Sequence, residues 1–514
     1  MFPVSRNENE SKFLGQAQKG LTPIHRGYAV GNGVYKTGSK TAFLLPVNIA
    51  VSWNVTACLY VVTYYYCLAI PVILMDLKLK EKVDAEYRSG SASGSANNRH
   101  AAGFARSAEM SSGKSTVRRN INRFSNFVKS GTEGYLLGSV KPSHAPTEKI
   151  EVVISDEGPI WKPAAQPYSC KLESPKKASK LKGLKSFISY RLTPSFNNIQ
   201  VSRRYKHFDW LHARLTEKYS LIPIPPLPEK QVAGRYEDEF IEHRMALLQL
   251  WVNKICRHPV LSQSPVWHHF ITCTDDKQWK QGKRRAEKDE YVGGSLFLSI
   301  SIPPQQLDPA DAEEKVESFG RFTRNMDDSV KNVYNMCGEY AKRMQGPLKK
   351  EYQKIGSAFR HLGESTENDS FAVPGAKSIT SAMKQTGASY DAIAELTEHQ
   401  PKTDLDPLMD LLYAYKGMLA IVPDMIHVHK CALGKFRDHQ KLFDEGKITE
   451  SELEALRHRL NVISYTVLAE MNQFQTGRTA DFREAMGLFL SRQIEYYNQM
   501  ASKLNDAFKS FGVS

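Results

Sequence analysis

From about Pro309 to the C-terminus, the apolar residues of this chain recur at spacings of three and four. Val316, Phe319, Phe322, Met326, Val330, Val333, Cys337, Tyr340, Met344, Leu348, Tyr352, Ile355, Phe359 and Leu362 trace one helical face through 47 residues. At 1.5 Å per residue this face extends roughly 70 Å, more than a compact domain needs. A second series runs from Leu453, Leu456, Leu460, Ile463, Val467, Met471 and Phe474 to Phe482, Met486, Phe489, Tyr497, Met500 and Leu504. It begins at a capping box, Thr449 to Glu452 in "TESE". Between the two series, residues 374–441 keep helical spacing but carry Pro401, Pro407 and Pro423, each of which should end or kink a helix. The pattern predicts three long, bent antiparallel helices. Their apolar stripes exceed what one chain can cover, so a dimer is expected in which two bundles complete each other's core.

Upstream the period changes. "KIEVVI", "LKSFISYRL" and the segment opening at Val201 are strand-like, and a helix follows from His207 to Lys218. A proline loop, "LIPIPPLPEKQVAG", leads into a longer helix on which Phe240, Leu247 and Trp251 share a face. Strands followed by helices indicate a small α+β domain. The loop reads as polyproline II, with "PIPP" and "PPLP" both of the form P-x-x-P. Residues 121–140 regain aromatic and aliphatic side chains, enough for a short segment that packs on something else. Residues 83–120, rich in Ser, Gly, Ala and Asn, form a linker expected to be disordered. Residues 41–75 carry no charge and are long enough to span a bilayer. Pro46, Asn48, Asn54, Pro71 and lysines on both flanks speak against a span, and both readings stay open.

Length and charge sharpen the picture. A chain of 514 residues allows about three domains. A formal net charge of +14 and a pI near 9.2 point to polyanionic partners, either nucleic acid or an anionic membrane. Seven cysteines without a C-x-x-C pair argue against a disulfide framework or a structural zinc site, and the bulk of the chain reads as cytosolic. Three cations, Arg203, Arg204 and Lys206, crowd around Tyr205 where a strand hands over to a helix. Phosphate loop, nucleophile elbow and H-E-x-x-H are all missing from the sequence, so neither a catalytic residue nor a cofactor is expected. His427 and His429 point to different helical faces and do not form a metal pair. A basic nucleic-acid-binding protein with a long helical dimerisation domain is the alternative, weakened by the lack of zinc-ligand spacing and of an RNP-like strand.

"RRYKHFDWL", "PPLPEKQVAGRYEDEFIEHRMALLQLW", "HPVLSQ", "DDKQWKQGKRRAEKDE", "RNMDDSV", "PDMIHVHK" and "LAEMNQF" together resemble the sorting nexins of the SH3-PX-BAR subfamily, over about residues 121–514. The resemblance implies a multidomain chain: an N-terminal region (1–120), a first yoke segment (121–147), a PX domain (148–275), a basic yoke segment (276–305) and an all-α BAR domain (306–514) forming a crescent dimer. It further implies binding of phosphoinositide membranes, curvature sensing and tubulation in endocytosis and vesicle trafficking, with peripheral localisation on the plasma membrane and endocytic vesicles. The chain is then expected to act as a homodimer or as a heterodimer with related sorting nexins, and no nucleic acid is expected.

The family's phosphate-binding arginine falls on Arg204, its ring-stacking aromatic on Tyr205, its membrane-proximal lysine on Lys230 and the arginine that holds the inositol hydroxyls on Arg244. A guanidinium fork suits phosphate bidentately and a lysine serves as a point charge. Lys277, Lys280, Lys283, Arg284, Arg285 and Lys288 of the yoke are expected to contact lipid, with Trp279 seated at the bilayer interface. Lys430, Arg437 and Lys441 share a face of the second long helix and are expected to form a basic membrane-facing surface. The family's SH3 domain is not recognisable in residues 1–120; recruitment of dynamin and actin regulators would need one.

Overall fold

The computed structural model describes residues 127–512 apart from 181–184, 231–235, 368–372 and 374. The charge-free run 41–75 and the linker 83–120 lie outside the described residues. Among the described residues, no helix is long and apolar enough to cross a membrane.

The short helix α1 (Thr132–Leu136) precedes β1. Strand β1 (Ile150–Ser155) pairs antiparallel with β2 (Gly158–Trp161) and parallel with β6 (Ile300–Ser301). A second antiparallel sheet holds β3 (Cys170–Lys180), β4 (Lys185–Pro194) and β5 (Val201–Arg204) in that order, with a register shift between Glu173 and Lys176. The strand predicted in "KIEVVI" thus does not join the sheet of the other two. It pairs with β2 and β6 instead, and Trp161 at the end of β2 donates from its indole nitrogen to buried Glu470 at 2.8 Å. Gly294 closes the same junction: its N–H donates to the Ser130 carbonyl at 2.7 Å, and a Cβ there would stand 2.2 Å from the backbone of Gly131.

Helices α2 (Tyr205–Lys218), α3 (Asp238–Arg257), α4 (Pro265–Thr272) and α5 (Asp276–Glu287) complete the α+β unit. Its core gathers Tyr190, Leu192, Phe208, Leu211, Trp251, Trp267 and Phe270, all fully buried. Burying side chains of this size supplies the main driving force for the unit.

The remainder is helical. Helix α6 (Pro309–Arg343) starts with Asp308 accepting from the Ala310 N–H and with proline at its first position. It passes through a π-helical turn, Met344–Leu348, into α7 (Lys349–Glu367). Pro347 lies in that turn, and the extra residue accommodates a ring that an α-helical turn would reject. Helix α8 (Ala376–Thr403) ends at Asp404, which caps α9 (Leu405–Asp444) through the Leu405 N–H. The three expected breaks reduce to one. Pro401 sits in the last turn of α8, Pro407 occupies the first turn of α9 where its missing N–H costs nothing, and Pro423 lies inside α9 without ending it. Helix α10 (Glu450–Ser510) runs unbroken for 61 residues from the capping box, in which Thr449 Oγ1 accepts from the Glu452 N–H and the Thr449 N–H donates to the Glu452 carboxylate. Val316, Phe319, Tyr415, Leu419, Val422, Ile463, Val467 and Phe474 fill the space between α6, α9 and α10. Beyond Met486 the character of α10 changes: Leu490, Ile494, Tyr497, Leu504 and Phe508 are exposed.

Candidate functional site

The handover from β5 to α2 explains the cluster of cations. Strand alternation turns Val201 and Arg203 inward, leaves Ser202 exposed and sets Arg204 at the edge. Arg203 therefore belongs to the core. Its Nε donates to the Phe270 carbonyl at 2.9 Å, its Nη2 to the Cys273 carbonyl at 2.6 Å, and its guanidinium lies 4.2 Å from the Trp279 ring centroid. Burial lowers its pKa to about 10, which leaves it charged at neutral pH. Arg203 is a structural strut and takes no part in the pocket, while Lys206 is exposed on α2.

Arg204 stands at the N-cap of α2 in extended conformation. Its guanidinium lies over the Phe187 ring at 5.3 Å, and its Nε donates to His207 Nε2 at 3.3 Å. Tyr205 opens the helix, and its hydroxyl donates to the Pro228 carbonyl of the proline loop. Burial pushes the Tyr205 phenol up to about 12, so it remains a donor throughout the physiological range. Arg244 of α3 sits 4.5 Å from the Tyr205 ring centroid and 4.2 Å from that of Phe240, and its Nη2 donates to the Glu229 carbonyl at 3.0 Å. Lys230 is exposed and pairs with Asp209 at 2.9 Å.

Of these four, Arg244 lies over the Tyr205 ring, Lys230 sits on the loop that accepts from Tyr205 and Arg244, and Arg204 packs on Phe187 beside them. Sequence reasoning missed Phe187, His207, Asp209 and Phe240. His207 follows Arg204 by three residues and Asp209 follows Tyr205 by four, the spacing of helical neighbours, so those two carried a readable signal. The pairing of Arg204 with Phe187 on another strand carried none. Three cationic side chains beside a ring face suit a polyanionic ligand with an apolar face.

The proline loop is not an exposed polyproline ligand. Ile222, Pro223, Ile224 and Pro225 are buried, the Trp251 indole donates to the Pro225 carbonyl at 3.0 Å and the Tyr413 hydroxyl to the Leu227 carbonyl at 3.1 Å. Behind Arg244 a cavity of about 280 Å³ separates α3 from α9, lined by Glu229, Phe240, Tyr334, Asp406, Asp410 and Tyr413. His243 closes it through Asp410 at 2.9 Å, and that carboxylate holds the imidazole above its ordinary pKa.

Helix α5 presents Lys277, Lys280, Arg284 and Arg285 to solvent, and Lys288 is exposed just past its end. Lys283 is half-buried, its Nζ 4.8 Å from the Trp210 ring centroid. Trp279, expected at a bilayer interface, is half-buried and packs within the fold. It stacks on His269 with ring centroids 5.4 Å apart, meets Trp210 edge-on at 5.5 Å and backs Arg203. On α9, Lys430 pairs with Glu317 at 2.7 Å, Arg437 with Glu313 and Lys435 with Glu133 at 2.9 Å, whereas Lys441 is exposed. The basic stripe is therefore partly neutralised by carboxylates of α6. His429 is fully buried with its Nε2 3.0 Å from Ser464 Oγ, and burial lowers its pKa to about 4. Among the described residues, no group of His, Cys, Asp and Glu is placed to hold a metal ion.

Two family models match the chain. One, described as the PX domain, covers residues 191–274, and the other, described as the WASP-binding domain of sorting nexin protein, covers residues 275–512. Sorting nexin lst-4 of Caenorhabditis elegans is 48% identical over 394 residues, which are 76% of this chain and 68% of that protein. Human sorting nexin-33 is 42% identical over 397 residues, 77% of this chain and 69% of that protein. Mouse sorting nexin-18 is 44% identical over 358 residues, 69% of this chain and 58% of that protein.

Proposed function

The chain belongs to the sorting nexin family, and on that premise we propose that Arg204, Tyr205, Lys230 and Arg244 form its phosphoinositide pocket. It is a membrane-associated, phosphoinositide-binding trafficking protein, a scaffold and not an enzyme. The observation that carries the pocket reading is the stacking of Arg244 on Tyr205, with the loop bearing Lys230 hydrogen-bonded to both. Arg204 takes a phosphate bidentately, Lys230 leaves Asp209 for the phosphate nearest the membrane, Tyr205 offers its ring and Arg244 meets the inositol hydroxyls.

The finer reading extends to the bundle. Two copies pair through the exposed apolar face of α10 to give a curved dimer, which bends anionic membranes in endocytic carriers. Lys277, Lys280, Lys283, Arg284, Arg285 and Lys288, with Lys430, Arg437 and Lys441, contact the lipid. The chain works on the cytoplasmic side of the plasma membrane and endocytic vesicles. A WASP-type partner for residues 275–512 rests on the description of the matched family model alone.

The test is Arg204→Ala. Loss of a bidentate charged contact costs about 2 to 4 kcal/mol, roughly thirty- to several-hundred-fold in affinity. Co-sedimentation with phosphoinositide vesicles should fail while the circular dichroism spectrum stays that of the parent. Unchanged sedimentation sinks the pocket, and release of the parent from vesicles by duplex DNA favours the nucleic-acid alternative.

A further inference from the structure

The pocket is not built by the α+β unit alone. The loop that carries Lys230 is held from two sides. Toward the pocket, the Pro228 carbonyl accepts from the Tyr205 hydroxyl and the Glu229 carbonyl from Arg244 Nη2 at 3.0 Å. Toward the bundle, the Leu227 carbonyl accepts from the Tyr413 hydroxyl at 3.1 Å, and the Pro226 ring lies directly against Gly417. Asp406, Asp410, Tyr413 and Gly417 follow one another at intervals of four, three and four, so one face of α9 meets the loop and, through the His243–Asp410 pair, helix α3.

Gly417 is the tightest point of this contact. It lies within α9, where its backbone conformation is one that any residue adopts, so conformational freedom does not explain a glycine there. Space does. A Cβ at Gly417 would stand 2.4 Å from Pro226 Cγ, 2.5 Å from Cδ and 3.0 Å from Cβ. A proline ring cannot rotate away, and the neighbouring prolines stiffen the loop, so a displacement at Pro226 passes along to Pro228, Glu229 and Lys230.

Resting on the phosphoinositide reading of the pocket, we infer that Gly417 and Tyr413 of α9 are positioning residues for the headgroup loop, so that the long-helix bundle sets the affinity of the pocket. Neither residue touches the ligand. Each acts through the loop backbone, and the pocket and the bundle are energetically coupled through that contact.

Gly417→Ala separates this role from a merely structural one, because alanine is the better helix former and should leave α9 intact or firmer. The full chain is titrated calorimetrically with dibutanoyl phosphatidylinositol phosphates, mono- and bisphosphorylated in turn, which stay monomeric and exclude avidity and bilayer contacts. Gly417→Ala is expected to weaken binding roughly two- to thirtyfold, with a still cooperative thermal melt and unchanged light scattering. Tyr413→Phe should give a smaller loss in the same direction. Pro226→Ala combined with Gly417→Ala should recover part of the affinity, since Cγ and Cδ are the atoms that crowd the new methyl. Arg204→Ala is run alongside. If it loses binding while Gly417→Ala and Tyr413→Phe bind like the parent, the coupling is refuted and the pocket stands. If Arg204→Ala itself binds like the parent, the pocket reading fails and this inference with it. Should Gly417→Ala destabilise the chain, Tyr413→Phe decides: parent-like affinity overturns the proposal.

Discussion

Arg203 and Arg204 are adjacent, yet truncating them should have opposite consequences. Arg203→Ala removes a buried guanidinium that donates to the carbonyls of Phe270 and Cys273, at the C-terminal end of α4, and to that of Ser202 at 3.1 Å. Hydrogen bonds to a charged group contribute roughly 1.5 to 3 kcal/mol each, and a desolvated cation on a tryptophan face up to about 2 kcal/mol. Against these stands the burial cost that draws the Arg203 pKa down to about 10. Deleting the side chain also strands two carbonyls in the interior and leaves Trp279 and His269 without the cation that backs them. Weighing the gains against the burial cost, the net loss should be about 3 to 5 kcal/mol, the size seen when one partner of a buried charged network is removed. Arg204→Ala, at the pocket edge, should stay within about 1 kcal/mol of the parent. Denaturant titration followed by tryptophan fluorescence suits the case, since Trp279 backs the lost side chain and Trp210 packs on Trp279. Equal stability of the two variants, or a parent-like Arg203→Ala, refutes the assignment of Arg203 to the core.

Two further outcomes follow from the bundle. His429 has a folded pKa near 4 against an ordinary value of 6.5, so between these values only the unfolded chain takes up its proton; stability should fall as pH drops through that window, by about 3 kcal/mol in all, and His429→Gln should remove that part of the acid sensitivity in denaturation measured at stepped pH. Glu313→Gln with Glu317→Gln uncovers Arg437 and Lys430, each contributing about 1 kcal/mol near an anionic surface, so binding to anionic vesicles should tighten; no change in co-sedimentation would mean that this face of α9 does not meet the bilayer.

What the sequence revealed depended on how far apart the interacting groups lie along it. The capping box at Thr449 and Glu452 spans three residues, and it appears in the structure as read. The apolar stripe of α6 was legible, but Pro347 was passed over because the stripe keeps its spacing through the π-helical turn that absorbs it. Arg204 and Tyr205 were recognisable at a strand-to-helix junction, and Lys230 and Arg244 through resemblance; the contact of Arg244 with Tyr205 and the placing of the Lys230 loop, held from the far side by α9, were not. Arg203 shows the opposite limit. Its place on the inward phase of β5 was readable, yet it was grouped with Arg204 and Lys206 around Tyr205, because the carbonyls that receive it lie 67 and 70 residues downstream. The partners of Lys430 and Arg437 lie 113 and 124 residues upstream. The net charge of +14 accordingly overstates the cationic surface. Arg203, Lys218 and Lys254 are buried or nearly so, Lys218 between Glu148 and Asp289 and Lys254 on Asp481, where they hold the α+β unit to its flanking segments and to α10. A cation reads as a binding group only after the fold has declared whether a carbonyl or carboxylate already claims it. By that measure the exposed cations of α5 and the edge of the β5–α2 junction are the groups we propose to meet a polyanion.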